Sequence, residues 1–322
     1  MKGNGLCLFL LLFAAISCGK LESTSGRQVI DESFESVIVC RPAIGAGTKA
    51  AHLTDVPATF HMWGYITGGS LTGNTPNYMV AEAFTKADGE DSWTSGHAFG
   101  MVPSTYKVQF WALAPSEATG ISGLPTEGTS GSPSFSYTLP TAGAGQTDII
   151  AALSSKYNGY SPGTSAAVSL EFKHLLSSFS FTTGSSMIPA CTINSISITG
   201  VPTSATYTEG SGWSGLSGSD RISVSPAKEL AKDEFGASIT GTEGYLMAIP
   251  GTTIGSSNSL IINMTVGGTT GDLTVAFPGS GFTLEMGRNY NVALSFPTVS
   301  TVSITVTIDD WNEQDPQQLD LK

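Results

Sequence analysis

Apolar and polar residues alternate along short segments from one end of the chain to the other. The segment FESVIVC carries Phe34, Ile38 and Cys40 on one face, and VSLEFKH and TVSITVTIDDW repeat the same period of two. Successive side chains of a strand point to opposite faces, so this period indicates strands with one buried face. Gly, Pro and Ser separate the segments, a combination typical of β-sandwiches. The pattern therefore predicts an all-β chain.

Three segments add detail to this prediction. In TFHMWGYI both faces are apolar, so we expect that strand to be covered on both sides. In FTLEMGRNYNVALSF two alternating runs flank Gly287-Arg288-Asn289, which predicts a hairpin. The small-residue segment TTGSSMIPA, residues 182–190, predicts a boundary, giving an N-terminal domain over residues 50–185 and a C-terminal domain over 186–322.

Composition agrees with an all-β protein and disfavours some partners. Charged residues make up 12% of the chain and there are 38 glycines, whereas helices depend on Lys, Glu, Arg and Ala. The formal net charge is −12. Such acidity disfavours binding to nucleic acid, so we expect no nucleic-acid partner.

The N-terminus has the pattern of an export signal. Lys2 precedes an apolar run of eleven residues, Leu6 to Ile16, which is too short to span a membrane. Ala-Ile-Ser-Cys, residues 15–18, resembles the lipobox of bacterial lipoproteins. We therefore interpret residues 1–17 as a lipoprotein signal peptide and Cys18 as the lipidated first residue of the exported chain. The alternative is an ordinary cleaved signal followed by an incidental cysteine.

The two remaining internal cysteines, Cys40 and Cys191, stand 151 residues apart without a C-x-x-C pattern, so no zinc site is predicted. We interpret them as two buried free thiols, with a disulfide between them as the alternative.

No catalytic or metal-binding motif is recognisable. The sequence has one G-x-S-x-G match, GYSPG at residues 159–163, but no helical pattern follows it as it would a catalytic serine. H-E-x-x-H and P-loop patterns are missing from the sequence, and no G-x-G-x-x-G opens a helix. The acidic segment KADGEDSW lacks the alternating oxygen ligands of a calcium loop. None of the four histidines has neighbouring ligands at metal spacing: His52, His61, His97 and His174. We therefore predict no enzyme activity, no cofactor and no metal, and interpret His61 and His174 as structural, hydrogen-bonded residues.

Two tryptophans are candidates for ligand contact. Trp93 and Trp213 stand in Gly- and Ser-rich segments that we interpret as loops, where an indole is free to meet a ligand. This possibility supports the alternative function of a surface glycan-binding lipoprotein.

Several segments together resemble the fimbrillin family of Bacteroidales, the subunits of type V pili. The resemblance runs in order through VQFWALAP, TDIIAA, LEFKHLLSSFSF, GRNYNVALSF and TVTIDDW, and covers nearly the whole exported chain. It implies two tandem transthyretin-like β-sandwich domains and export to the outer membrane as a lipoprotein. It also implies assembly with other pilin subunits by strand exchange, and adhesion through a host or glycan ligand.

In such pilins a trypsin-like protease cuts at a basic residue behind the first strand, and the opened groove accepts a strand of a neighbour. Here the resemblance makes residues 18–49 the propeptide, with the displaced strand marked by Phe34, Ile38 and Cys40. Lys49 is the candidate cleavage residue. Arg41 is the second candidate, although it precedes Pro42. The donor is expected within residues 299–322, and stalk, anchor and tip roles all stay open.

Overall fold

The computed structural model describes residues 30–44, 56–71, 73–185, 189–240, 245–298, 300–310 and 317–318. Regular structure in these ranges is almost entirely β-strand, and the one helical piece among them is a 3-10 turn at Gly143–Gly145. The prediction of an all-β chain is therefore confirmed. Within the described ranges, no helix has the length and apolar character needed to cross a membrane.

The N-terminal half supplies nine strands. They are β1 (Asp31–Ile44), β2 (Thr59–Thr67), β3 (Met79–Lys86), β4 (Trp93–Ala114), β5 (Ile121–Ser122), β6 (Ser134–Thr138), β7 (Ile150–Leu153), β8 (Tyr157–Tyr160) and β9 (Val168–His174).

Seven of these strands form one sheet that closes on itself. Its order is β1-β9-β7-β4-β2-β3, with β8 paired to β4. Strand β4 is 22 residues long. Its first part pairs with β1 on one side and with β3 on the other, while its second part pairs with β2, β7 and β8. Because both ends of the sheet pair with the same long strand, the sheet encloses a core.

Large apolar side chains fill the inside of this closed sheet. Phe60 stacks on Phe84 with ring centroids 5.4 Å apart and meets Phe172 edge-on at 5.5 Å. The outer face of β2 and β4 is also buried, since Trp63 and Trp111 are fully covered there and belong to a second core. The expected coverage of TFHMWGYI on both faces is thus confirmed.

The C-terminal half supplies fourteen strands in the described residues. They are β10 (Ser177–Thr183), β11 (Cys191–Val201), β12 (Ser204–Thr208), β13 (Gly212–Ser217), β14 (Asp220–Val224), β15 (Lys228–Leu230), β16 (Leu246–Ala248), β17 (Thr253–Ile254), β18 (Ser259–Val266), β19 (Thr269–Ala276), β20 (Phe282–Thr283), β21 (Arg288–Thr298), β22 (Thr301–Asp310) and β23 (Gln317–Gln318).

Two five-stranded sheets of this half share the second core. One has the order β16-β10-β21-β22-β23, and the other has the order β14-β11-β18-β19 with β15 paired to β11. Alternate side chains of both sheets are buried together, as expected of a β-sandwich. A four-stranded sheet, β13-β12-β6-β5, joins the two halves, because β6 pairs with β12 over five residues.

Strand β10 (Ser177–Thr183) stands just before the predicted domain boundary. Our division between residues 185 and 186 placed β10 in the N-terminal domain, but it pairs with β21 and β16 of the C-terminal half. The chain leaves the closed sheet after His174, the last residue of β9. Leu175 and Leu176 are both buried there, and two successive buried residues break the alternation of inward and outward side chains. The division into two domains stays a prediction.

The predicted hairpin around Gly287 is wrong. Strand β21 pairs with β10 in parallel and with β22, whereas β20 pairs with β17. The turn residues bind elsewhere, since the Gly287 N–H donates to the Leu176 carbonyl at 3.0 Å. Cys40 and Cys191 are both buried free thiols, as predicted.

Candidate functional site: the groove filled by β1

Strand β1 lies between two strands of the closed sheet. Residues from Asp31 to Cys40 pair antiparallel with the first part of β4, and residues from Cys40 to Ile44 pair in parallel with β9. We call the space between β4 and β9 that this strand occupies the β1 groove. Departure of β1 would leave main-chain N–H and C=O groups unpaired on both neighbours, and such edges recruit another strand.

The inward side chains of β1 belong to the core of the closed sheet. Ile38 and Cys40 are both fully buried, so the inward face predicted by the alternation is confirmed for these two residues. The side chain of Phe34 lies outside the described part of the structure. Val37, which directly precedes Ile38 and lies on the opposite face, is 42% exposed. Burial of Ile38 and Cys40 in the core therefore contributes to holding β1 in the sheet.

Burial also determines the chemistry of Cys40. Desolvation raises the pKa of its thiol well above the ordinary value, and a protonated, covered thiol is unreactive. Cys40 therefore acts as a small apolar side chain in the β1 groove, which agrees with its interpretation as a packing residue.

The two candidate cleavage residues differ in what the structure describes. Arg41 has an exposed side chain, but its backbone is paired with Ser169 of β9, and Pro42 follows. A protease must bind its substrate as a free extended strand, so β1 would have to unpair before Arg41 could be cut. Lys49 lies outside the described residues, between Ile44 and Val56, and Cys18 also lies outside them.

The loop placement of Trp93 is wrong. Trp93 opens strand β4 and is 6% exposed. Its indole N–H donates to the Pro57 carbonyl at 2.9 Å, and the Lys86 ammonium stands 4.8 Å from the ring centroid. Cys40 of β1 is its register partner. Trp93 thus forms part of the wall of the β1 groove.

Trp213 is likewise in a strand, β13, instead of a loop. Its ring is half-buried against Phe135 and Tyr207, with centroids 5.8 and 5.4 Å away, and its indole N–H donates to the Leu175 carbonyl at 2.6 Å. Both tryptophans were misplaced because Gly and Ser residues around them suggested loops. Both rings pack against protein, and a role of either tryptophan in ligand binding stays a prediction.

The described histidines have structural partners. His174 Nδ1 lies 2.7 Å from Asp148 Oδ2 in a buried pair, and His61 Nδ1 lies 2.7 Å from Ser116 Oγ. Their interpretation as hydrogen-bonded residues is confirmed, while His52 lies outside the described residues. The described ranges contain no group of three or more His, Cys, Asp or Glu residues able to hold a metal ion.

Comparison with known proteins gives one family match. The profile of the fimbrillin-like family matches residues 58–311, which is most of the chain. The chain belongs to the fimbrillin-like family. This membership supports a role as a structural subunit of a fimbria at the cell surface, assembled with other pilin subunits. Among curated proteins, none matches the chain.

Solved structures support the fold of this fimbrillin-like chain. A candidate cell adhesion protein from Bacteroides ovatus aligns with a TM-score of 0.58 at 14% identity, covering 87% of this chain and 99% of that one. Another from Bacteroides uniformis aligns with a TM-score of 0.54 at 14% identity, covering 86% and 98%. At such identity the likeness concerns the fold.

Proposed function

We propose that this fimbrillin-like protein is a pilus subunit, exported as a lipoprotein and assembled when a neighbour's strand replaces β1. The observation that carries the proposal is the position of β1 between β4 and β9, with Ile38 and Cys40 fully buried. A strand so placed completes the sheet of its own subunit. Its loss would create both an unpaired ladder and empty apolar pockets, which together fit an incoming strand.

Cleavage would turn β1 into a removable strand. Ile44, the last residue of β1, and Val56 are separated by residues 45–55, which include Lys49. A cut there would leave β1 held without a covalent link on its C-terminal side. Arg41 serves this purpose less well, because its backbone is paired inside the sheet.

The replacing strand is proposed to come from residues 299–322 of the next subunit. Val302, Ile304, Val306 and Ile308 alternate there, the same inward period that β1 has. In the isolated chain β22 is paired with β21, and Val306 is 1% exposed. Donation of β22 would therefore uncover part of the C-terminal core until the next subunit covers it again.

Lipidation of Cys18 would place the exported subunit in the outer membrane before assembly. An acyl chain contributes about 0.8 kcal/mol per buried CH₂, so more than one chain makes a stable anchor. The Ala-Ile-Ser-Cys pattern supports this step.

Limited trypsin treatment, followed by N-terminal sequencing and gel electrophoresis without heating, tests the proposal. We expect a new N-terminus at Ala50 and ladders of multimers. The Lys49→Gln variant should be neither cut there nor multimerised, whereas Arg41→Gln should behave as the parent. A chain that is cut after Lys49 and stays monomeric at high concentration would contradict a stalk role.

A further inference from the structure

The ladder between β1 and β4 is interrupted at two points, between Asp31 and Ser36 and between Val37 and Val39, and the second interruption lies at Ile38. On either side of Ile38 the two strands are in register, but β4 has three residues, Ser95, Gly96 and His97, where β1 has Ile38 alone. We call these three residues the Ser95–His97 bulge. Bulges redirect a strand and remove ladder hydrogen bonds, so the main chain at Ile38 needs another partner.

Ser95 supplies that partner. The Ile38 N–H donates to Ser95 Oγ at 2.9 Å, and the Ser95 hydroxyl donates to the His97 carbonyl at 2.8 Å. Ser95 is 5% exposed, so water does not compete freely at this site. Because the hydroxyl proton is committed to His97, the oxygen faces the β1 groove as an acceptor.

Glu82 lies on β3, which pairs with β4 on the side opposite β1, and it contacts His97 of the Ser95–His97 bulge. One of its carboxylate oxygens accepts the His97 N–H at 3.1 Å, and both lie within 2.9 to 3.0 Å of His97 Nδ1. The Glu82 side chain is 13% exposed. Ala81, just before it, has φ of 49°, a conformation that a non-glycine residue keeps only when its surroundings require it.

We propose that Ser95, held in place by Glu82 through His97, sets the register of the strand in the β1 groove. The strand of a second subunit that replaces β1 must then present a main-chain N–H at the Ile38 position, with an inward aliphatic side chain. It must also carry a small inward side chain two residues later, at the fully buried Cys40 position. The part concerning the second subunit rests on the proposed exchange.

A fixed acceptor has a clear use in strand exchange. A slip by one residue would turn every inward side chain outward, so a strand entering the groove needs a register signal besides its apolar pattern. Proline at the Ile38 position would be rejected, because it has no N–H. Pro42, paired with Leu170 of β9, shows that the groove accepts proline elsewhere.

Amide hydrogen exchange in the uncut chain, expressed without residues 1–17, tests the register site directly. Exchange at the Ile38 amide, resolved by NMR, should be about fivefold faster in Ser95→Ala, since one intramolecular hydrogen bond is lost. Ser95→Thr keeps the hydroxyl and should restore the parent rate. Glu82→Ala should also speed exchange at Ile38, although the hydrogen bonds of Glu82 among the described residues go to His97 and not to β1.

Ser154→Ala is the matched control. Ser154 Oγ accepts the Phe110 N–H at 2.9 Å and donates to the Ser155 carbonyl at 2.8 Å, and Ser154 is 4% exposed. Its hydrogen bonding repeats that of Ser95 away from β1. This variant should leave Ile38 exchange unchanged.

The register site is refuted if Ser95→Ala leaves Ile38 exchange at the parent rate, or if Ser154→Ala speeds it equally. Both measurements use uncut protein, so such a result does not bear on strand exchange. Conversely, a cut chain that never multimerises counts against exchange and leaves the Ile38 result standing.

Discussion

Replacing Ile38 with alanine tests whether β1 is held mainly by its inward side chains. Ile38 is fully buried inside the closed sheet. The change removes three carbons, each worth about 0.8 kcal/mol of burial, or about 2.4 kcal/mol together. The cavity left in a packed core adds about 1 kcal/mol. We therefore expect the free energy of unfolding to fall by about 3 to 4 kcal/mol.

Val37→Ala provides the matched control on the same strand. Val37 directly precedes Ile38 in β1, but it is 42% exposed. Truncation there removes apolar atoms that already contact water, so the expected loss is about 0.5 kcal/mol. The two variants share the local strand and differ in the face that they alter.

Urea unfolding of the uncut chain, followed by near-ultraviolet circular dichroism, measures both losses. The first transition should shift to lower urea for Ile38→Ala and stay nearly unchanged for Val37→Ala. Losses that agree within about 1 kcal/mol would show that the pockets of the β1 groove contribute little, and the reasoning from inward burial would fail.

Four further results are expected. Iodoacetamide should leave Cys40 unmodified in the uncut chain and label it once a cut releases β1, because burial raises the pKa of that thiol and covers it; equal labelling of both forms, read by mass spectrometry, would contradict release. Cys18→Ala should abolish incorporation of labelled palmitate, and unchanged incorporation would refute the lipobox interpretation. Glycan-array signals should not depend on Trp93 or Trp213, since both rings pack against protein; signals lost in either Trp→Phe variant would restore the glycan-binding alternative. Burial raises the pKa of Tyr290 to about 12, above the unfolded value of about 10, so the folded state binds the proton more tightly and stability should fall as pH rises from about 10 to 12; absorbance at 295 nm should show tyrosine ionising together with unfolding, and ionisation without unfolding would contradict it.

Much of the local structure followed from the order of residues. The period of two identified β1 and its inward residues Ile38 and Cys40, and the apolar residues on both faces of β2 indicated that it is covered twice. The missing C-x-x-C pattern favoured free thiols. These features depend on near neighbours in sequence, which a short window contains.

The candidate site was predicted less completely. Residues 18 and 49 were singled out from the sequence but lie outside the described structure, and the two tryptophans were assigned to loops that are strands. Ser95 and Glu82 were missed altogether. In the sequence, Ser95-Gly96-His97 interrupts the apolar alternation of a strand. A bulge can be recognised there only when the residues of the opposite strand are known.

The sequence by itself determined that the chain is all-β, which residues of β1 face inward, and that its N-terminus resembles a lipoprotein signal. Only the tertiary structure decided that β4 closes its sheet, that β10 pairs with β21 in parallel, and that Ser95 receives the Ile38 N–H. The physical reason is that alternation specifies the buried face of a strand but not its partner. Which strands pair depends on contacts between residues far apart along the chain, as for β10 and β21. The local pattern of apolar and polar residues does not encode these contacts.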